Sequence, residues 1–166
     1  METFYMRLFS RKAIKSNKLI DVLEEDGNTL FECGYHESAQ YHFYINEKGE
    51  ILAQSGKDEF VIYSSAEMMI ESYALLDSIP NDWYRLPNVS KVIEKGNLST
   101  YLLNKSFRHV KDCCDDYNIY FSNGNIIARC SIWWTNEGRF VITVYGKDEK
   151  QCKQFIKELK KNKLCE

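Results

Sequence analysis

Apolar residues in positions 16–79 recur first at helical spacing, then in short separate segments, and then at helical spacing again. A helix is expected to begin at Ser16 and to end at Gly27, because serine caps free helix amides and glycine suits a helix end. A second helix is expected after a capping box formed by Ser64 and Glu67. The strands predicted between these helices are residues 29–33, 41–45, 50–54 and 60–63, with a hairpin turn at 46–49.

Residues 80–96 form a predicted connector, which holds both prolines of the chain and a short helix over 89–94. Asn97 is expected to cap a longer helix, because apolar residues follow it at helical spacing. The Asn-Gly pair at 123–124 is a strong hairpin signal, and Asp148 is expected to cap the last helix. The apolar face of the longer helix is Leu103, Phe107, Val110 and Cys114. The strands predicted in this half are 118–122, 126–135 and 139–145.

Part of the chain resembles another part of itself. When residues 16–59 are moved by ninety positions without a gap, they lie on 106–149 with 11 identical pairs among 44. Most of these identities fall at predicted caps and turns, so convergent turn chemistry could produce them as well as a duplication. The pattern predicts two pseudo-repeats of helix–three strands–helix, at about 16–79 and 97–162, on either side of the connector.

Together these elements predict a single α+β domain over residues 1–166, in which helices pack on one mostly antiparallel sheet of six or seven strands. The strand at 140–145 is apolar at nearly every position, which is typical of a strand that is covered on both faces or lies centrally in a sheet. Leu, Ile, Val and Phe make up about a quarter of the chain, more than disordered chains contain.

The first residues contain no continuous apolar stretch and no small-residue cleavage site, so no signal peptide is expected. No apolar segment approaches the roughly 18 residues that span a bilayer. The six cysteines are irregularly spaced, and in a reducing compartment we expect them to be free thiols. The interpretation is a soluble, cytoplasmic protein without a membrane partner.

Charge is unevenly distributed along the chain, although the net charge is only −2. Residues 16–83 contain three basic and 14 acidic residues, whereas residues 84–166 contain 15 basic and nine acidic residues. The first part is therefore strongly acidic and the second part is basic. Such asymmetry is evidence about binding partners rather than about the fold.

The acidic part predicts a contact surface for a basic protein, because acidic surfaces speed encounters with basic ones and can imitate a phosphate backbone. Small acidic inhibitors, such as bacterial toxin-immunity proteins and phage-encoded defence inhibitors, are similar in character, although no motif is shared. We therefore expect a small, non-enzymatic protein that sequesters or inhibits its partner. The expected partner-binding residues are Asp21, Glu24, Glu25, Asp26, Glu37 and Glu47.

Aromatic residues would supply the anchors that charge cannot, since tryptophan and tyrosine are frequent at interface hot spots. Packing in the core is the alternative role for each of them. A homodimer that pairs the acidic part with the basic part would also explain the charge asymmetry, without any external partner. The candidate anchors are Trp83, Tyr84, Trp133 and Trp134.

The last helix supports an alternative function, a nucleic-acid-binding module. Its topology and charge are similar to those of the double-stranded-RNA-binding domain, which has the order helix–three strands–helix and holds phosphates. Asp148 and Glu149 depart from that pattern, because they stand where that family has positive charge. The candidate phosphate-binding residues are Lys147, Lys150, Lys153, Lys157 and Lys160.

A second alternative is a small hydrolase around His36 and His42, which would require a pocket. The chain has no Gly-x-Ser-x-Gly elbow, no His-Glu-x-x-His motif and no phosphate-binding glycine loop. His109 and Cys113, four residues apart on a predicted helix, could face one ion but lack the paired cysteine spacing of a zinc site. We therefore predict no enzyme, no catalytic residue, no cofactor and no metal site.

Overall fold

The computed structural model describes residues 22–25, 28–36, 41–55, 58–86, 90–133 and 139–166. In these ranges the protein is an α+β fold with three helices and two antiparallel sheets. The helices are α1 (Ala66–Ser78), α2 (Lys95–Asn104) and α3 (Glu149–Lys161). The strands of the first sheet are β1 (Val22–Glu25), β2 (Asn28–His36), β3 (Tyr41–Asn46), β4 (Ile51–Ser55) and β5 (Asp58–Tyr63). Those of the second are β6 (Tyr84–Arg85), β7 (Ser90–Lys91), β8 (Arg108–His109), β9 (Asn118–Ser122), β10 (Ile126–Trp133) and β11 (Arg139–Gly146).

The first sheet is a meander, in which β1 to β5 pair in chain order. It confirms the four strands and the hairpin turn that the sequence predicted before α1. The turn is stabilised by Asn46, whose Oδ1 accepts hydrogen bonds from the backbone amides of Lys48 and Glu50 at 3.0 and 2.9 Å. Gly49 has a φ of 79°, a conformation that glycine adopts without steric cost.

The prediction of a helix ending at Gly27 is wrong over residues 22–25, which form β1. Val22 pairs with Phe31 and Glu25 pairs with Asn28 at the edge of the sheet. A helix here would have placed Glu24 and Glu25 at its C-terminus, where negative charge is unfavourable. Pairing with β2 satisfies hydrogen-bonding groups of the β1 backbone without placing these acids at a helix C-terminus.

The second sheet has the order β6-β11-β10-β9-β8, and β7 pairs with β11 beside β6. Alternate residues of β10 and β11 point to opposite faces, and both faces are covered. On one face, Ala128 and Val144 pack against α2 and α3. On the other, Ile127 packs with the end of α1. The sheet is therefore sandwiched between α1 and the α2/α3 pair, as the apolar strand at 140–145 predicted.

The helix predicted from Asn97 to Cys114 is shorter than expected. It begins after Glu94 and ends at Asn104, because Ser106 has a φ of 64° that no right-handed helix can contain. Phe107 is buried, but it follows the helix and precedes β8. A short helix was expected at 89–94, but residues 90–92 instead form β7 and a bridge between Val92 and Cys165.

The observed N-cap agrees with the prediction at α3 and differs from it by one residue at α1. The prediction that Asn97 caps α2 is wrong, because Glu94 is the N-cap and Asn97 lies within the helix. The Asp148 carboxylate accepts from the Gln151 amide at 2.9 Å, as expected for the start of α3. At α1 the cap is Ser65 rather than Ser64, and its hydroxyl accepts from the Met68 amide at 3.1 Å. The Ser64 amide and hydroxyl instead both donate to Asp115, which connects the two sheets.

The expected single sheet is wrong, since the strands form two separate sheets. The structure also does not confirm the pseudo-repeat. Both β2-β3-β4 and β9-β10-β11 are antiparallel meanders, but the elements that flank them differ. Residues 58–63 are a strand, whereas the residues ninety positions later enter α3.

None of the three helices in the described ranges combines the length and the apolar composition that a bilayer crossing requires.

Candidate functional site

Acidic residues from both halves of the chain meet at one end of the first sheet. The turn between β3 and β4 places the exposed Glu47 at this end, and Glu50 follows it with its carboxylate held by the Asn46 amide at 2.8 Å. In a meander, alternate turns lie at the same end of the sheet. The link between β1 and β2 is therefore also here, which places the backbone of Glu25 beside this cluster.

Asp115 and Asp116 complete the cluster from the second half. Asp115 is fixed by the Ser64 amide and hydroxyl, which donate to its Oδ2 at 2.9 and 3.2 Å. Because β5 ends at Tyr63, Ser64 lies at the same end of the sheet as Glu50. The negative charges of this cluster act together on the neighbouring Tyr117. Desolvation raises the pKa of Tyr117, and the charges of Glu50, Asp116 and Asp115 raise it further.

Helix α1 extends the acidic surface, because it begins two residues after Ser64. Its first turn carries the exposed Glu67, and α1 contains no lysine or arginine. We call this end of the first sheet the acidic rim. Its members are Glu47, Glu50, Glu67, Asp115 and Asp116.

Of the predicted partner-binding acids, the structure places some at or beside the acidic rim, and others lie outside the residues that it describes. Glu47 is exposed on the rim, and the strand positions of Glu24 and Glu25 lie at the edge of the sheet beside it. Asp21, Asp26 and Glu37 lie outside the described residues. The sequence missed Asp115 and Asp116, which belong to the basic half of the chain. Hydrogen bonds from Ser64, 51 positions away, fix Asp115 at the rim, and Asp116 follows it in the chain.

Helix α3 presents the opposite charge on the other side of the second sheet. It contains five lysines and two glutamates, and its apolar residues face the sheet. Glu149 forms an ion pair with Lys153 at 2.6 Å, and Glu158 forms one with Lys105 at 3.1 Å. All five predicted phosphate-binding residues are exposed, and three of them line an open groove along the helix. The lining residues are Glu149, Lys150, Lys153, Gln154 and Lys157.

Two of the predicted aromatic anchors, Trp83 and Tyr84, are only partly exposed. Trp83 packs against the buried cluster of Cys113, Tyr120 and Ile127. The Lys147 ammonium lies 5.9 Å from the centre of the Trp83 ring. Tyr84 packs against the core on the α3 side. The backbone of Trp133 pairs with Arg139 in the second sheet, and Trp134 lies outside the described residues. Packing therefore accounts for much of the Trp83 and Tyr84 surfaces.

The two histidines of the hydrolase alternative lie on neighbouring strands. His36 pairs with Tyr41, and His42 pairs with Tyr35. The His42 Nδ1 lies 2.7 Å from the Glu32 carboxylate, and the ring stacks on Tyr44 with 6.1 Å between centroids. A carboxylate can orient an imidazole in this way, but catalysis would also require a positioned nucleophile or water.

His109 and Cys113 do not share a helix. His109 is in β8 and its ring lies 4.7 Å from that of Phe121, while the Cys113 thiol donates to the Glu71 carbonyl at 3.4 Å. Burial, followed by the charges of nearby residues, raises the pKa of Cys113 to about 11, so the thiol is not prepared for metal binding. Across the described ranges, no three His, Cys, Asp or Glu side chains are grouped so that they could hold an ion.

No family model, curated protein or solved structure matches this chain.

Proposed function

We propose that this protein is a non-enzymatic binding protein whose acidic rim engages a basic surface of a partner protein, in the manner of an inhibitor. The observation that carries the proposal is the convergence of acids from β3–β4, α1 and the segment before β9 on one end of the first sheet. Grouped carboxylates at one site speed the encounter with a basic partner and reject other acidic surfaces.

Two of the five rim carboxylates, those of Asp115 and Glu50, are held in position by hydrogen bonds. Asp115 accepts from the Tyr117 and Asn118 amides at 2.9 and 2.6 Å in addition to its bonds from Ser64. Glu50 is held by Asn46. A surface whose charges are fixed before binding loses less conformational entropy when the complex forms.

The test compares two double charge reversals. Glu47→Lys with Asp116→Lys alters the rim, whereas Asp77→Lys with Asp82→Lys alters two exposed acids at and beyond the other end of α1. Immobilised protein is incubated with lysate of the source cell at low salt, and retained proteins are identified by mass spectrometry. Association rates of the retained protein are then measured at several salt concentrations.

The expected result is a basic protein that the parent chain and the Asp77/Asp82 variant retain equally. The rim variant should associate with it at least tenfold more slowly, and added salt should reduce the difference. Equal association of both variants, or retention of no basic protein, would refute the proposal.

A second candidate, binding of nucleic-acid phosphates by α3, is favoured by the lysines along its groove. Lys150, Lys157 and Lys160 are exposed, and no ion pair joins them to an acid in the described part of the chain. Filter binding of RNA and DNA duplexes tests it, with Lys157→Glu and Lys160→Glu against the control Lys48→Glu in the turn between β3 and β4. Affinity that is independent of salt, or equal in both variants, would refute it.

A further inference from the structure

Two aromatic and two cationic side chains alternate where β6 lies at the edge of the second sheet. Arg85 of β6 pairs directly with Tyr145 of β11. The same antiparallel register, continued by two residues, places Trp83 opposite Lys147. The Arg85 Cζ lies 5.7 Å from the centre of the Tyr145 ring, and the Lys147 Nζ lies 5.9 Å from that of Trp83. Each cation therefore lies over the aromatic ring of the neighbouring chain segment, within the range of a cation–π contact.

The four side chains lie on one face of the sheet and are accessible from solvent. Residues two apart in a strand point to the same side, and both rings pack against the buried cluster that contains Ile127. The rings are partly exposed, and both cations are exposed. We call this arrangement the aromatic–cation grid. Its members are Trp83, Arg85, Tyr145 and Lys147.

The positive charge of the grid is not neutralised by ion pairs. Among the residues that the structure describes, neither grid cation forms an ion pair with an acid, including the exposed Asp82. The acids that follow Lys147 along the chain have other partners. The Asp148 carboxylate caps α3, and Glu149 pairs with Lys153. Both grid cations are therefore available to a negatively charged ligand.

We propose that the aromatic–cation grid binds single-stranded nucleic acid. Unpaired bases stack on aromatic rings and on guanidinium planes, and cations hold the phosphates between them. Arg85 offers a guanidinium plane that lies over the Tyr145 ring, and Lys147 offers a point charge for a phosphate oxygen. A duplex keeps its bases stacked inside, and an acidic peptide has charge without bases, so neither would use the planar groups. Cations that are positioned over rings before binding lose less conformational entropy in the complex.

The grid is separate from the acidic rim and from the α3 groove. Asp115 of the rim precedes the start of β9, whereas the grid lies where β11 ends. Strands β9 and β11 run in the same direction, because each pairs antiparallel with β10, so these two points lie at opposite ends of the sheet. The groove of α3 lies on the other side of the sheet. The proposal therefore rests on neither surface and can be tested without a protein partner.

The test uses a short fluorescein-labelled oligothymidine strand, whose fluorescence anisotropy is measured with the full chain at several salt concentrations. Arg85→Lys keeps the charge but removes the guanidinium plane. Arg108→Lys is its matched control, at an exposed arginine of β8 on the opposite edge of the same sheet. Lys147→Met removes the expected phosphate contact, and Lys157→Met with Lys160→Met removes lysines of α3. Unlabelled strand, a duplex of matched length and poly-glutamate are the competitors.

The single strand should bind at low salt, and it should bind more tightly than the duplex. Arg85→Lys should raise the dissociation constant about tenfold, as expected for the loss of one stacked base, and should leave the salt dependence unchanged. Lys147→Met should reduce the slope of log affinity against log salt by about 0.7, which corresponds to one phosphate contact on a single strand. The Arg108 and α3 variants should bind like the parent chain.

Three results would overturn the proposal. The first is that the strand does not bind at low salt. The second is equal affinity of Arg85→Lys and Arg108→Lys, which would show attraction by charge alone or binding elsewhere, such as on α3. The third is displacement of the labelled strand by duplex or poly-glutamate as effectively as by unlabelled strand. Both arginines are exposed, so loss of folding does not obscure the comparison between them.

Discussion

The side-chain amide of Asn118 donates a hydrogen bond to the backbone carbonyl of Ile62 at 2.7 Å. Asn118 begins β9 of the second sheet, and Ile62 lies near the end of β5 in the first. The same side chain accepts from Arg129 through its Oδ1. One buried amide therefore connects the two sheets and also orients the guanidinium beneath α1.

Replacement of Asn118 by alanine should lower the free energy of unfolding by about 2–3 kcal/mol. The substitution leaves the Ile62 carbonyl and one Arg129 donor without partners in a buried position, which costs more than the hydrogen bond itself contributes. Urea denaturation followed by circular dichroism measures the change. Asn104→Ala, at an exposed position at the end of α2, should stay within about 0.5 kcal/mol of the parent chain. Similar losses in both variants would contradict the inter-sheet role.

Gly146 ends β11 where the chain turns towards α3. A Cβ at this position would lie 2.6 Å from the Cys152 Sγ and 3.1 Å from the Asn125 carbonyl oxygen. Gly146→Ala should therefore destabilise the protein by about 1–3 kcal/mol through overpacking. In a Cys152→Ala background the loss should be smaller, because the thiol is the closest obstacle.

Gly96 provides the matched control for that measurement. It lies in α2, and an added Cβ would have no neighbour closer than 4.0 Å. Gly96→Ala should stabilise the protein by about 0.5–1 kcal/mol, because alanine loses less backbone entropy in a helix. Stabilisation by Gly146→Ala as well as by Gly96→Ala in chemical denaturation would show that packing at Gly146 is not as described.

The Cys130 thiol should resist alkylation in the native protein. It is 1% exposed on the α3 side of β10, and burial raises its pKa to about 12. The thiolate is the reactive form, so iodoacetamide at pH 8 should leave Cys130 unmodified over a time that fully labels the urea-unfolded chain. Peptide mapping by mass spectrometry reads each cysteine separately. Labelling of Cys130 at the unfolded rate would contradict this placement.

Stability should depend on pH through the pair between α2 and α3. The Tyr101 hydroxyl donates to the Glu158 carboxylate at 2.6 Å. Desolvation and this carboxylate raise the pKa of Tyr101 from 10.0 to about 12. Because the folded state favours the neutral phenol, this stabilisation is complete below pH 10 and is lost as the pH rises towards 12.

The Tyr101–Glu158 pair also makes stability depend on pH in acid, where stability falls as the pH decreases. The hydrogen bond from Tyr101, followed by that from Lys105, lowers the pKa of Glu158 below 4.5, so its contribution is present above that pH and is lost as the carboxylate protonates. Tyr101→Phe should flatten both limbs of the pH profile of unfolding free energy. Identical profiles for the parent chain and Tyr101→Phe, measured by urea denaturation from pH 3 to 11, would contradict this.

Local elements were predictable where short-range chemistry determines them. The short apolar segments of β2 to β5, the turn at Gly49 and the Asp148 cap each depend on a few neighbouring residues. The end of α2 was not predictable, because Leu103 and Phe107 keep helical spacing across the point where Ser106 adopts a positive φ. Here an apolar pattern continues although the backbone conformation changes.

The candidate sites depend on contacts between residues far apart in the sequence. Asp115 reaches the acidic rim through Ser64, and Arg129 gains its hydrogen-bond partners from β5 and β9. No local pattern indicates which of two sheets a strand will join, so the division into two sheets could not be read from the chain. The acidic and basic segments were visible in the sequence, but the contribution of Asp115 and Asp116 to the acidic rim was not.

The second sheet separates two helices of opposite charge, since α1 has three acidic and no basic residues and α3 has five lysines and two glutamates. This arrangement gives that part of the molecule a large dipole moment, which the net charge of −2 conceals. Near a charged surface the protein should therefore adopt a preferred orientation, with α3 turned towards a negative surface and α1 towards a positive one. Its retention on ion-exchange resins of either sign should follow these local faces rather than its total charge.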